Sequence, residues 1–224
     1  MRARELLGCL ATAAVLLAPA AAGAQGAAPA HDWSGPYAGA HLGYLWGDVD
    51  YVEPDDPQFG FGHGADGLQG GLLAGYSHQI ERIVLGLEAE GGLTGAGFES
   101  DSAGANGYSA VDLDWTLRLR GRLGVAFERS LLFVAGGLAV GGVSLDDTDP
   151  GFGHDGATHL GWTLGAGFER AVGDNLLLRL EYLYDDYGRK RYDIASPPGP
   201  FFPSYEAEVA LTAHTLRAAL AWRF

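Results

Sequence analysis

The stretch DWTLRLRGRLGVAF at 114–127 constrains this chain more than any other. Trp115, Leu117, Leu119, Leu123, Val125 and Phe127 fall on odd positions, and Arg118, Arg120 and Arg122 on even ones. Successive side chains of an extended strand point to opposite faces, so the segment is apolar on one side and cationic on the other. Period-two patterning or strand-like composition recurs in eight segments, about 36–46, 68–78, 83–94, 112–127, 131–143, 159–169, 176–187 and 206–224. No stretch carries a convincing amphipathic-helix pattern. The connectors alternate in length: 78–82, 128–130 and 170–175 are tight turns, whereas 47–67, 95–111, 144–158 and 188–205 are long, rich in Gly, Pro and Asp, and expected to be structureless. Short turns then lie at one end of an up-and-down meander and long loops at the other, in one domain without a linker.

Eight strands with one apolar face close in two ways. A soluble lipocalin-like barrel turns that face inward around a ligand; a membrane barrel turns it outward to lipid and fills its interior with polar side chains. Four features favour the second. Strand parity places Glu88, Glu90, Asp114, Arg118, Arg120, Arg122, Glu169, Arg179, Glu181, Asp185, Arg217 and Arg223 on the inner face, six acids and six bases. That neutral set suits a closed, ion-paired lumen. Rings collect at two levels: Tyr44, Trp46, Trp115, Trp162 and Tyr184 toward the long loops, and Tyr76, Phe127, Phe168, Trp222 and Phe224 toward the short turns. Two such levels are the interfacial aromatic girdles of a membrane barrel. The outward parity from Trp115 to Phe127, at roughly 3.3 Å per residue and a tilt near 40°, covers about 30 Å of bilayer. Finally, the chain ends LRAALAWRF, an alternating strand that closes on an aromatic residue.

Residues 1–24 read as an export signal: Arg2 and Arg4, an apolar run from Leu6 to Leu17, then small residues ending Ala22-Gly23-Ala24, with cleavage expected after Ala24. Leu6-Leu7-Gly8-Cys9 matches a lipoprotein box but lies too near the start of the apolar run to serve as one. The expected mature chain divides into a periplasmic segment, 25–35, and a barrel, 36–224. Cys9 and Met1 carry the only sulfur atoms, so that chain has neither thiol chemistry nor a disulfide. Removing Arg2, Arg4 and Glu5 leaves 12 basic and 27 acidic residues, a formal charge of −15 that argues against nucleic acid as a partner. No stretch of the mature chain is long and apolar enough for a membrane-spanning helix, so any span is built from strands.

WSGPYAGAHLGYLWG (33–47), GWTLGAGFERAVGDNLLLRLEYLYDDYG (161–188) and the terminal AWRF together resemble the small opacity-type, porin-like outer-membrane β-barrel family, the immunogenic surface proteins of Gram-negative bacteria. The resemblance spans essentially the whole mature chain, and the 161–188 hairpin is its most specific piece. It implies an all-β fold, an eight-stranded antiparallel up-and-down transmembrane β-barrel. It also implies an outer-membrane location and a structural or surface-interaction role without catalytic residues; on this reading both termini are periplasmic and no cofactor is expected. Outer-membrane lipid and lipopolysaccharide are then the partners, and the β-barrel assembly machinery would read the carboxyl-terminal strand. Loops 47–67 and 144–158 depart from the family in their Gly- and Asp-rich wording, so no extracellular loop ligand is carried over.

The inner charges can form a plug or line a path. Eight strands leave room for little more than side chains, which favours a plug over a narrow passive porin. On this register Glu88 and Glu90 face Arg118 and Arg120. A lipid-modifying enzyme needs a nucleophile beside a base: Ser77 and His78 are adjacent and so point apart, whereas Thr212 and His214 share a face but lack an orienting acid. The acidic loops carry Asp48, Asp50, Glu53, Asp55, Asp56 and Asp66, then Asp146, Asp147, Asp149 and Asp155, with His63 and His154. Their spacing is not that of a calcium loop, and no metal site is expected. Arg189, Lys190 and Arg191 form the one basic cluster of the long loops, at the height where lipopolysaccharide phosphates would lie.

Overall fold

The computed structural model describes residues 31–52, 60–99, 110–146, 155–194 and 205–224. The expected signal segment and the acidic runs at 53–59 and 147–154 lie outside them. Eight strands follow in chain order: β1 (Gly35–Val52), β2 (Gly60–Ile80), β3 (Ile83–Glu99), β4 (Ala110–Phe127), β5 (Ser130–Asp146), β6 (Asp155–Ala171), β7 (Leu176–Ile194) and β8 (Tyr205–Arg223). Each pairs antiparallel with the next, and β1 pairs with β8, closing the barrel. The all-β, eight-stranded up-and-down architecture is therefore as expected.

The strands run further into the long connectors than their patterning suggests. β1 continues to Val52 and β2 begins at Gly60, and the β7–β8 ladder climbs to Ile194–Tyr205. Beyond the apolar wall neither face requires oil, so the alternation fades, while the backbone groups still need partners and keep the ladder going.

Alternation sorts each strand into an outer and an inner face. On β4, Leu119 is 55% exposed and its neighbour Arg120 is 0% exposed. Leu72, Leu87, Leu138, Leu164 and Leu220 are likewise exposed on other strands, giving the barrel an apolar outer wall. The interior has three layers. Nearest the short turns, Trp33, Tyr37, Leu131, Phe133 and Leu177 pack as a buried cluster. Arginines and carboxylates fill the middle. Toward the long loops, Leu45, Leu113, Val143, Tyr187 and Leu211 form a second apolar cluster. A void of about 20 Å³ among Leu45, Ala65, Leu113, Val143 and Leu211 is room for no more than a water or two.

Glycines create the space for these side chains. A Cβ on Gly75 would lie 2.5 Å from the Tyr37 hydroxyl, and one on Gly167 would lie 2.6 Å from Cζ of Phe133. Each ring reaches over the bare backbone of a neighbouring strand. At the tight turns, Glu81 and Glu128 take φ of 55° and 51°, a left-handed backbone that L side chains adopt at a cost.

Candidate functional site: the lumen network and its rims

Arg118, Arg120 and Arg122 of β4 point inward at successive inner positions, and the register sets Glu90 of β3 opposite Arg118 and Glu88 opposite Arg120. Arg118 forks onto Asp185 of β7 at 2.9 and 2.5 Å and reaches Glu90 at 2.9 Å. Arg120 bonds Glu88 at 2.5 Å, Glu90 at 3.0 Å and Glu181 of β7 at 2.7 Å. Arg217 of β8 holds Glu90 bidentately at 2.9 and 2.6 Å and Glu181 at 2.7 Å. Arg179 of β7 bridges Glu88 and Glu169, both at 2.7 Å, and Arg122 reaches Glu169 at 2.9 Å. Planar guanidinium forks suit this bidentate sharing, and charge-assisted bonds of this kind are the strong ones.

Aromatic groups cap the network toward the short turns. The Tyr37 hydroxyl donates to Glu88 at 2.8 Å and accepts from Arg122 at 2.8 Å. The Arg122 guanidinium sits 4.2 Å from the centroid of Phe133, and that of Arg179 sits 5.3 Å away. Rings that face a desolvated cation add attraction without adding charge. Arg118, Arg120, Arg122, Arg179 and Arg217 thus balance Glu88, Glu90, Glu169, Glu181 and Asp185, ten residues all buried. Neutrality is the condition under which charges can be held out of water together. Through Tyr37 the network ties six strands, β1, β3, β4, β6, β7 and β8.

Two residues expected in this set lie elsewhere. Asp114 is exposed on the outer side, because the β4–β5 register shifts between Leu113 and Trp115 and a bulge there reverses the parity, turning Leu113 inward instead. Arg223 keeps inward parity but sits at the rim, where it donates to the carbonyls of Asp32, Ser34 and Asp174 and makes no bond to the network. One acid and one base leave together, so the balance survives. A third expectation also changes: Arg189, Lys190 and Arg191 are not in a loop but on β7, opposite Ala210, Val209 and Glu208 of β8.

Sequence reading passed over the strap at residues 31–34. Trp33 is buried under the barrel; its backbone N–H donates to Gln79 Oε1 at 2.8 Å, and Ser34 Oγ accepts from the Gln79 backbone N–H at 3.1 Å. Burial, together with nearby Arg223, pushes the His31 pKa down, while the Ser34 N–H holds the Asp32 carboxyl below the usual carboxylate range. The W-S-G-x-Y wording was the available signal: Trp33 closes the mouth and Tyr37 caps the network. Phe133 and Tyr187 were also missed, because apolar residues on an inner face break the polar-in rule.

The rings divide as parity requires. Trp115 faces outward, lying over Gly142. Tyr44, Tyr76, Trp162, Trp222 and Phe224 are exposed, and Trp46, Phe127, Phe168 and Tyr184 are half-buried on the outer wall. Ser77 is buried and His78 exposed, on opposite faces. His214 is hydrogen-bonded through Nδ1 to the Tyr182 hydroxyl at 2.7 Å.

Over residues 10–224 the sequence matches the family described as outer membrane protein beta-barrel domain. It is similar to the 22 kDa outer membrane protein of Rhizobium leguminosarum bv. viciae, 36% identical over 179 residues that cover 80% of this chain and 74% of that protein. It is also similar to the 25 kDa outer-membrane immunogenic protein of Brucella abortus, 31% identical over 173 residues that cover 75% of this chain and 72% of that one. Among solved structures, the outer membrane protease OmpT from Escherichia coli shares the fold with a TM-score of 0.53 at 11% identity, covering 85% of this chain and 97% of that one.

Proposed function

This chain belongs to the outer membrane protein beta-barrel domain family, and from that premise we propose that it is a plugged structural barrel of the Gram-negative outer membrane that presents a surface to the exterior. The observation that carries this reading is the neutral network of five arginines and five carboxylates filling the lumen, closed above and below by apolar clusters. Such a network resists opening: passage of an ion would strand a buried charge. Both termini then face the periplasm, and the long connectors face outward. The outward rings anchor the barrel at two interfaces. The β-barrel assembly machinery reads the carboxyl-terminal strand, and lipopolysaccharide is the neighbour met by the barrel's outer end, including Arg189, Lys190 and Arg191. A role without chemistry is supported by relatives named for immunogenicity and by the engagement of His214 with Tyr182 rather than with an acid.

The test is conductance. Full-length mature protein in planar bilayers should give no discrete current steps, while an unboiled gel sample migrates apart from a boiled one as a closed barrel does. Reproducible steps from the heat-modifiable form would overturn the plugged reading in favour of a narrow passive porin.

A further inference from the structure

His41 stands outside the pairing of the charged layer although it lies against it. This β1 residue is buried on the inner face, 6% exposed, and neither ring nitrogen has a hydrogen-bond partner among the described residues. Bare backbone makes room for the ring: a Cβ on Gly71 of β2 would lie 2.7 Å from Nε2, and one on Gly92 of β3 would lie 3.4 Å from Cε1. The imidazole therefore reaches from β1 across β2 toward β3, where Glu90 is the next inner residue after Gly92. At the next inner position of β1, Gly43 is flanked by Gln69 of β2 and Arg217 of β8.

Four charges act on this imidazole. Arg217 of β8 and Arg118 of β4 oppose a proton on it, and Glu90 of β3 and Glu181 of β7 favour one. On β2 the facing inner residues, Gln69, Gly71 and Leu73, carry no charge. Both carboxylates are already engaged. Glu90 Oε1 accepts from Arg118 and Arg217, each at 2.9 Å, and Oε2 from Arg120 at 3.0 Å and Arg217 at 2.6 Å. Glu181 Oε1 accepts from Arg120 and Oε2 from Arg217, both at 2.7 Å. A proton on His41 would set six cations against five carboxylates in a low-dielectric interior, and the imidazolium could gain Glu90 only by taking it from an arginine.

We propose that His41 is the acid-sensitive point of the lumen: neutral, it leaves a balanced plug, and protonated it breaks the balance on the β1–β3 side and loosens the barrel there. The proposal rests on the plugged reading above and adds the condition under which the plug gives way. An imidazole in the unfolded chain takes up its proton at about pH 6.5, whereas the folded lumen takes it only at the expense of the network. Stability is therefore whole above that range and falls as the pH drops through it. The experiment unfolds full-length mature protein in micelles with urea at neutral and at mildly acidic pH, beside His41→Gln and His41→Met, which cannot be charged. Over a drop from about pH 7.5 to about pH 5, the folding equilibrium constant of the native protein should fall about thirtyfold more than that of either variant. Deuterium exchange, corrected for the intrinsic effect of pH, should place the native loss in β1, β2 and β3 rather than in β5 and β6. His78→Gln, which removes an exposed histidine on the outer face of β2, should behave as the native protein does. Equal pH dependence in the native protein and both His41 variants would overturn the proposal, as would equal flattening by His78→Gln or exchange raised evenly around the barrel. Conductance at neutral pH tests the plug itself, so failure here is distinct from failure of the plugged reading.

Discussion

Arg120 shows what a single residue contributes in a sealed lumen. It is fully buried and touches Glu88, Glu90 and Glu181. Replacing it with leucine leaves three carboxylates competing for the remaining cations in a medium that cannot hydrate them. Arg120→Leu should therefore lose about 3–5 kcal/mol, measured as a lowered midpoint of urea unfolding in micelles; an unchanged midpoint would mean that the network contributes nothing to stability. Glu128 shows the opposite case. Its φ of 51° suits asparagine better than glutamate, so Glu128→Asn should raise the same midpoint, by about 0.5–1 kcal/mol. A lowered midpoint would show that the Glu128 side chain contributes more than the strained backbone costs.

At the scale of elements, glycine placement decides how strands fit together. Gly167 of β6 leaves room for Phe133 of β5, and a Cβ there would also lie 2.8 Å from the Leu180 carbonyl oxygen. Backbone cannot yield as a flexible side chain can, so Gly167→Val should cost about 1–3 kcal/mol. It should also disturb the Arg122 contact with Phe133, seen as a changed near-ultraviolet dichroism; an unperturbed spectrum would place the Phe133 ring elsewhere. Strand number, direction and most of the lumen were legible because alternation on β4 and β7 reports the two faces directly. Asp114 was not, since a bulge shifts parity without leaving a mark in the local sequence. Arg223 was not, because parity gives the side of the wall but not the depth along it. The upper reaches of β7 escaped too: Arg189, Lys190 and Arg191 are three cations in a row and give no alternation to read. The strap at 31–34 was hidden because a lone Trp33 ahead of a strand has no period to read.

The whole molecule inverts the ordinary arrangement of a soluble protein, with oil on its surface and charge at its centre. Its mature formal charge of −15 belongs to its ends and connectors, because the central layer sums to zero. A barrel of this size has no space for both side chains and solvent, which links the neutral core to the expected absence of conductance. Every functional inference depends on which face meets hydrocarbon. The expected mature chain lacks cysteine, so nitroxide labels can be placed singly at 117, 119 and 123 on the outer face of β4. In lipid bilayers all three should collide readily with oxygen and poorly with a water-soluble nickel chelate. Ready collision with the chelate at these positions would put water where oil is required and would contradict the membrane barrel at its foundation.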